Sequence, residues 1–278
     1  MPLISKFVDD ALFPPLREEV KALSADKTLG QHFLVDEGLC ARIAACAGTL
    51  SGKTVIEIGP GPGGLTRALL ARGASVCAIE KDLRCAAALA PLQTIYGNRL
   101  QIHWKDALSV DITTLIPSEM PKPLIVANLP YNIANPLFLQ WLPHLVRFEK
   151  WILMFQKEVA DRLCAVPCTK DYGRLSVLAQ SQASIRKEFF LPPGAFVPPP
   201  QVYSTVICCT PQEKPPSLAL YSSLERLTQR AFAMRRKMLK NTLRPLFSEQ
   251  ELSALGIAPQ SRAETLTVSQ FLSLAKKK

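Results

Sequence analysis

The chain has 278 residues, of which 48% are hydrophobic and 20% are charged, a composition that is typical of a globular protein and excludes disorder of the whole chain. This length is sufficient for one large core, or for one large domain with a small one attached. The net charge of +10 is unevenly distributed, because the residues from Leu220 onward carry 11 basic and only 4 acidic side chains. That excess favours a polyanionic partner, and a solvated basic tail is the equal alternative.

The cysteines and the first residues of the chain indicate its class and location. The eight cysteines and three histidines show no zinc-site spacing, so we interpret the cysteines as core side chains in a reducing compartment and expect no metal. Charges at Lys6, Asp9 and Asp10 are not typical of a secretory signal, and no apolar stretch is long enough to span a bilayer. We therefore expect a cytoplasmic, soluble protein, a monomer without a membrane partner.

From residue 54 onward, short apolar runs alternate with segments of helical spacing. This alternation predicts an α/β fold, a Rossmann-like parallel sheet with helices on both faces. The predicted strands are 54–59, 75–80, 100–104, 124–127 and 151–155, and the predicted helices are 65–72, 83–89 and 136–145, the last with Asn135 as its N-cap and Pro136 at its first position.

The second half of the chain changes character. Segments 188–191 and 204–209 flank a proline-rich loop, 192–200, and we predict that they form an antiparallel pair at a sheet edge. Residues 212–216 resemble a linker, and the pattern beyond them is purely helical, with capping boxes at Ser248 and Thr267. The sequence thus predicts a large domain over 1–211 and a small all-α domain over 217–278.

A glycine-rich turn follows the first predicted strand, where residues 57–64 read E-I-G-P-G-P-G-G. Glycines allow a sharp strand-to-helix turn and the close approach of a ligand to the backbone. Gly59, Gly61 and Gly64 satisfy the dinucleotide pattern, and Glu80 ends the next strand, where an acid would hold ribose hydroxyls. NAD and S-adenosylmethionine both contain an adenosine, so these two features leave the cofactor open.

Two further acids favour S-adenosylmethionine. Glu57 lies within the first strand, where an unpaired acid is costly and where methyltransferases place one. Asp106 follows the third strand and could accept a hydrogen bond from an adenine amino group, although a turn or N-cap role is its simpler explanation.

The segment Asn128–Leu129–Pro130–Tyr131 follows the fourth strand, at the sheet edge where open parallel sheets form their sites. It matches the signature of enzymes that methylate base amino groups. The Asn128 side-chain oxygen and the Leu129 carbonyl could accept from both amino hydrogens, while Tyr131 stacks on the base and Pro130 stiffens the turn. The alternative is an ordinary strand-ending turn.

A proline segment over Phe196–Ser204 reads F-V-P-P-P-Q-V-Y-S. Its simpler interpretation is a rigid polyproline-like loop. Its functional interpretation places Phe196 against the other face of the target base.

Taken together, these motifs resemble the small-subunit ribosomal RNA adenine dimethyltransferases, the KsgA family, over nearly the whole chain. The matching segments are G-Q-H-F-L at 30–34, 57–66, I-E-K-D at 79–82, 128–133, Y-G-R-L-S-V at 172–177, 196–204, R-R-K at 235–237 and 262–271. The resemblance implies S-adenosylmethionine as cofactor and transfer of two methyl groups to each of two adjacent adenosines near the end of 16S ribosomal RNA during small-subunit maturation. It also implies cofactor contacts at His32, Leu34, Gly59, Glu80, Asp106 and Asn128, and we add Glu57, Gly61 and Lys81 as predicted cofactor-binding residues.

Two positions depart from the family pattern. The family usually has Asn at His32, and an imidazole could still donate a hydrogen bond to the cofactor. A lysine that is common in the proline segment is Gln201 here, which would weaken one phosphate contact.

Residues 226–244 contain seven basic side chains and no acid, interleaved with Leu227, Ala231, Met234 and Met238 at helical spacing. The pattern predicts an amphipathic helix with an apolar face on the domain and a basic face on RNA. The predicted RNA-binding residues are Arg230, Arg235, Arg236, Lys237 and Lys240.

Four other functions remain open on the residues alone. They are methylation of large-subunit RNA, methylation of DNA adenine, a non-enzymatic role in ribosome assembly, and an NAD-dependent dehydrogenase.

Overall fold

The computed structural model describes residues 15–23, 30–116, 121–234 and 236–277. They divide into two compact units, one made of the described residues within 1–138, 147–157 and 187–209 and the other of those within 139–146, 158–186 and 210–278. The second unit thus includes two segments, 139–146 and 158–186, that we had placed in the larger domain. The division into domains at 211 and 217 stays a prediction.

A seven-stranded sheet has the order β4-β3-β2-β5-β6-β9-β7, and β1 pairs with β8 in a separate ribbon. Strands β2 to β6 are parallel to their neighbours, whereas β9 runs antiparallel to β6, with Ile152 opposite Cys208. This α/β architecture is the predicted one, and all five predicted parallel strands form within one residue of their expected ends. The strands are β1 Phe33–Leu34, β2 Thr54–Ile58, β3 Ser75–Glu80, β4 Leu100–Trp104, β5 Leu124–Asn128, β6 Trp151–Gln156, β7 Ala183–Leu191, β8 Phe196–Val197 and β9 Ser204–Pro211.

The central strands form because both of their faces are buried. Val55, Val126 and Ile152 lie in the core of the first unit, together with side chains from the helices over 37–46, 64–71 and 86–96. A continuous apolar run is what such a strand requires, since no side of it meets water. The helices are α1 Leu16–Leu23, α2 Glu37–Cys46, α3 Gly64–Ala71, α4 Ala86–Tyr96, α5 Tyr131–Trp141, α6 Lys157–Leu163, α7 Arg174–Gln182, α8 Leu218–Ala231, α9 Leu239–Thr242, α10 Glu249–Ala254 and α11 Val268–Lys276.

Helix α5 begins earlier than predicted. It starts at Tyr131, so Pro136 lies inside the helix and Asn135 is not its N-cap. The amides of Ile133 and Ala134 both donate to the Pro130 carbonyl, which sets the first turn five residues upstream of the proline. Proline lacks an N–H, so the helix loses only one hydrogen bond at this position.

Helices of the second unit pack around aromatic side chains. The Tyr172 hydroxyl donates to the Leu266 carbonyl at 2.9 Å, and the rings of Phe232 and Phe271 stack with centroids 5.6 Å apart. The predicted capping boxes at Ser248 and Thr267 are confirmed at the starts of α10 and α11. No helix in the described part of the chain is both long and apolar enough to cross a membrane.

The amphipathic helix predicted through residue 238 is interrupted. Helix α8 ends at Ala231, and Met234 and Met238 are exposed. After the break, the backbone forms hydrogen bonds with a distant segment. Met238 and Arg262 form an isolated antiparallel β-bridge, and the Leu239 amide donates to the Ser261 carbonyl. A continuous helix would leave those groups unavailable, because its amides bond within the helix.

Candidate active site

A pocket opens at the carboxyl ends of the parallel strands of the first unit and holds about 840 Å³ of empty space, part of it open solvent. This edge is where sites of open parallel sheets form. The predicted site residues that line the pocket are His32, Gly59, Gly61, Glu80, Lys81, Asp106, Asn128, Leu129, Pro130 and Tyr131.

The glycine turn lies against this pocket with its backbone. Gly59 and Gly61 have φ angles of +65° and +55°, a conformation that is strained for other residues. The Gly61 amide donates to Glu80 Oε2 at 3.0 Å. A Cβ on Gly61 would lie 3.0 Å from the Phe33 ring, which also lines the pocket. At Gly61 the turn therefore has no room for a side chain, whereas a Cβ on Gly59 would meet nothing closer than Pro130 at 3.6 Å.

Backbone amides hold the carboxylate of Glu80 at the end of β3. Its Oε1 accepts from the amides of Lys81 and Asp82, each at 2.8 Å, and Oε2 accepts from Gly61. Burial raises the pKa of Glu80, and these backbone donors oppose that rise by stabilising the ionised form. A carboxylate has about four lone-pair sites, so capacity remains for a ligand hydroxyl.

Asp106 has two roles that the sequence presented as alternatives. Its Oδ1 accepts from the Leu108 amide at 3.0 Å and so caps a short 3-10 helix, Ala107–Ser109. Its Oδ2 accepts from Lys81 Nζ at 2.8 Å, and it also lines the pocket. The Lys81 ammonium and the Leu108 amide hold the pKa of Asp106 below its usual value, so the carboxylate is ionised at neutral pH.

Asn128 and Tyr131 are oriented by residues from distant parts of the chain. Asn128 ends β5, and its Nδ2 donates to the His32 carbonyl at 3.3 Å. The Tyr131 hydroxyl shares a 2.5 Å hydrogen bond with Ser204 Oγ, and its ring lies 5.3 Å from the His32 ring at a tilt of 35°. With its amide nitrogen engaged, Asn128 retains Oδ1 as an acceptor.

Three predicted site residues do not line the pocket. Leu34 and Phe196 face each other across the β1–β8 pair, and the Phe196 side chain is only 2% exposed. Phe196 is thus part of the core of the first unit, and the stacking role that we predicted for it stays a prediction. Glu57 is 1% exposed, and its Oε2 has no hydrogen-bond partner among the described residues.

The pKa of Glu57 rises to about 8 because burial removes the carboxylate from water. The Thr66 hydroxyl lowers it, and the charge of Glu80 raises it further. Glu57 is therefore largely protonated at neutral pH.

Our sequence reasoning assigned no role to several pocket residues. Gln31 lines the pocket and donates to Asp82 Oδ2 at 2.7 Å, and Arg84 donates to the same carboxylate. The Arg84 guanidinium and Gln31 lower the pKa of Asp82 to about 2, against the effect of burial. Both Gln31 and Asp82 lie in motifs that carried the family resemblance, and that was the signal that could have identified them. Within the described residues, no group of three His, Cys, Asp or Glu side chains could hold a metal ion.

The predicted RNA-binding residues belong to the second unit. Arg230, Arg236 and Lys237 are exposed, whereas Lys240 is half-buried with its Nζ 3.5 Å from Glu249 Oε1. Arg235 lies outside the described residues. The exposed members form a basic surface on α8 and the turn after it.

Comparisons with known proteins agree with the fold. The family model described as "Ribosomal RNA adenine dimethylase" matches residues 22–278. A protein named ribosomal RNA small subunit methyltransferase A from Gluconobacter oxydans is 48% identical over 96% of this chain and 88% of its own, and one from Rhodospirillum rubrum is 49% identical over 95% and 92%.

Solved structures show the same fold. A dimethyladenosine transferase from Plasmodium falciparum superposes with a TM-score of 0.73 at 26% identity, covering 87% of this chain and 96% of that one. The 23S rRNA methyltransferase ErmE superposes with a TM-score of 0.67 at 24% identity over 88% and 98%, a likeness of fold alone. With its methyltransferase sheet and a family match over almost its whole length, the chain belongs to the ribosomal RNA adenine dimethylase family.

Proposed function

We propose that the protein binds S-adenosylmethionine in this pocket and dimethylates the N6 amino groups of two adjacent adenosines near the 3′ end of 16S ribosomal RNA during small-subunit maturation. One observation carries the proposal. The Asn128–Tyr131 segment borders the same pocket as Glu80 and Asp106, so acceptors for a base amino group lie beside acceptors for an adenosine.

The pocket residues fit the cofactor. Glu80 is placed to accept from ribose hydroxyls, and Asp106 is placed to accept from the adenine amino group. The side-chain-free backbone at Gly59 and Gly61 admits a ligand at close range. When bound, the cofactor supplies a methyl group on a positively charged sulfur. His32, Lys81 and Asn128 border the remaining space, while Leu34 and Glu57 are buried and do not line it.

Asn128 and Leu129 provide the chemistry at the target base. The amino nitrogen of adenine is a weak nucleophile because its lone pair is delocalised into the ring. Acceptance of its two hydrogens by Asn128 Oδ1 and the Leu129 carbonyl favours a pyramidal nitrogen with a localised lone pair. The acceptors are fixed before the substrate arrives, so no reorganisation is needed at the moment of transfer. Tyr131 stacks on the base, and Pro130 stiffens the turn.

The basic surface of the second unit binds the RNA. Arg230, Arg236 and Lys237 are exposed and would meet phosphates, with Arg235 and Lys240 beside them in sequence. The target adenosine has to leave its stack to reach the pocket. The proposed partner is a small ribosomal subunit or a precursor of it. The proposed location of the protein is the cytoplasm.

The decisive experiment incubates the protein with methyl-labelled S-adenosylmethionine and undermethylated small subunits, followed by mass spectrometry of the digested RNA. Wild type should yield dimethyladenosine and Asn128→Ala should not. Asn135→Ala, in the exposed part of α5, is the matched control and should behave as wild type. Label found only in large-subunit RNA would show that large-subunit RNA is the substrate. Binding to the small subunit without any label would leave a non-enzymatic role in assembly as the remaining function.

Titration with cofactors separates the remaining alternative. A methyltransferase binds S-adenosylhomocysteine, whereas a dehydrogenase binds NAD and does not bind S-adenosylhomocysteine.

Charge reversal at Arg236 and Lys237 should weaken RNA binding and flatten its dependence on salt, because each neutralised phosphate releases counterions. The same reversal at Arg17 and Lys21, exposed on α1, serves as the charge-matched control. Unchanged binding across the salt series would remove the RNA-binding role of this surface.

A further inference from the structure

The proline segment Phe196–Ser204 has a different relation to the pocket from the one its sequence suggests. The Phe196 ring is buried in the core of the first unit. Two other groups of the segment are nevertheless coupled to residues that line the pocket. They are the Pro198 carbonyl and the Ser204 hydroxyl.

Ser204 fixes the far end of Tyr131. Its side chain is fully buried at the start of β9, and its Oγ shares the 2.5 Å hydrogen bond with the Tyr131 hydroxyl. Strand β9 is held along its length by pairing with β6, in which Ser204 lies opposite Gln156. The tyrosine hydroxyl is thus tied to the sheet rather than to a loop.

His32 supports the ring of the same tyrosine. Its Nδ1 lies 2.8 Å from the Pro198 carbonyl, and a carbonyl only accepts, so this nitrogen carries the hydrogen. The imidazole is thereby held in one orientation, with its ring 5.3 Å from that of Tyr131. Tyr131 is therefore restrained at its hydroxyl by the end of the proline segment and at its ring by a residue anchored to the middle of that segment.

We propose that Ser204 is a positioning residue for methyl transfer, which holds the ring of Tyr131 in the plane on which the target adenine stacks. The inference rests on the proposed function, because it assigns Tyr131 to the base. Stacking fixes the angle at which the amino nitrogen meets the acceptors at Asn128 and Leu129. A misplacement of about 1 Å in such a geometry can cost up to about a hundredfold in rate.

The test compares Ser204→Ala, Tyr131→Phe and the double variant in the full-length protein. We would measure kcat and KM with small subunits, the Kd for S-adenosylhomocysteine, and Tm. Thr205→Val is the matched control, since Thr205 is equally buried in the same strand and its hydroxyl has no partner among the described residues.

Both single variants should lower kcat by about tenfold, and the double variant should fall no further, because each removes the same hydrogen bond. The Kd for S-adenosylhomocysteine should stay within about twofold of wild type in every variant, as should kcat of Thr205→Val. A purely structural role of Ser204 would instead lower Tm and spread the loss over Kd and KM.

Wild-type kcat in Ser204→Ala, or a double variant whose loss is the product of the two single losses, would overturn the proposal. If Ser204→Ala does not fold, Tyr131→Phe breaks the same hydrogen bond from its more accessible side, and wild-type kcat there would overturn it equally. A wild-type protein that forms no dimethyladenosine is a separate result, since it refutes the proposed function before any variant is compared.

Discussion

Replacement of Gly61 by alanine tests whether the glycine turn shapes the cofactor site. The added Cβ would lie 3.0 Å from Phe33 Cδ1 and 3.1 Å from Cε1, so the ring has to move by a few tenths of an ångström. One side of Phe33 packs against Leu16, Val20 and Val35. The ring therefore moves toward the pocket that it lines, and a bound cofactor has to push it back.

Gly61→Ala should lower both the folding stability and the affinity for the cofactor, and the two effects are seen in different measurements. Gly61 has a φ of +55°, so any alanine there costs about 1–2 kcal/mol of folding stability. Crowding in a packed site costs roughly a further 1–3 kcal/mol. If the free protein relieves about 1.4 kcal/mol of that crowding and the complex does not, the Kd of the cofactor rises about tenfold.

Gly52→Ala isolates the first cost from the second. Gly52 has a φ of +72°, and its added Cβ would meet nothing within 4 Å. Urea unfolding should show a loss of about 1–2 kcal/mol for Gly52→Ala and a larger loss for Gly61→Ala. Calorimetric titration with S-adenosylhomocysteine should show weaker binding for Gly61→Ala alone. If the two variants bind it equally tightly, the contact with Phe33 does not control the pocket and the reasoning fails.

Four further substitutions test separate groups. Asp106→Asn should raise the Kd for S-adenosylhomocysteine by about tenfold. Lys81→Met should change the free energy of unfolding by less than about 1 kcal/mol, because the ion pair between Lys81 and Asp106 is exposed. A larger loss for Lys81→Met would contradict this estimate of the ion pair. The pKa of Glu57 is about 8 in the folded protein and 4.5 in the free side chain. The protonated carboxyl group therefore stabilises the fold fully below pH 4.5, and this stabilisation is lost as the pH rises to 8. Glu57→Gln cannot ionise, so it should become more stable than wild type between pH 5 and 9, by on the order of a few kcal/mol for a pKa shift of this size. A pH-independent difference in urea unfolding would refute that assignment. Ser248→Ala removes the reciprocal cap with Glu251 at α10 and should cost about 1 kcal/mol in the same assay, and an unchanged midpoint would show that the cap contributes nothing.

The parallel strands and the pocket edge could be predicted from the sequence, because buried parallel strands are continuous apolar runs and their carboxyl ends meet at one edge. The start of helix α5 was misplaced at Pro136, which lies inside the helix. Proline is found at helix starts and also, at the loss of one hydrogen bond, inside helices, so its position alone does not show where a helix begins. The burial of Phe196 could not be predicted, because an aromatic residue in a proline loop gives no sign of which way its ring faces.

The part of the site that could not be predicted is the part that depends on long-range pairing. Strand β9 lies between β6 and β7 although it follows β7 in the chain. No local pattern in β9 specifies that position, and the bond between Ser204 and Tyr131 exists only because of it. Motifs identified the chemistry of the pocket, and the sheet order supplied the groups that hold it in place.

The position of β9 also has a consequence for how the protein is made. A nascent chain that has not yet reached residue 204 already contains His32, Glu80, Asp106 and Asn128, but it lacks the strand that restrains Tyr131. Domains fold as units during synthesis, and pairings of distant segments form slowly. Prematurely terminated chains would therefore retain every proposed cofactor-binding residue without an ordered base site, and competence to methylate would come late in translation.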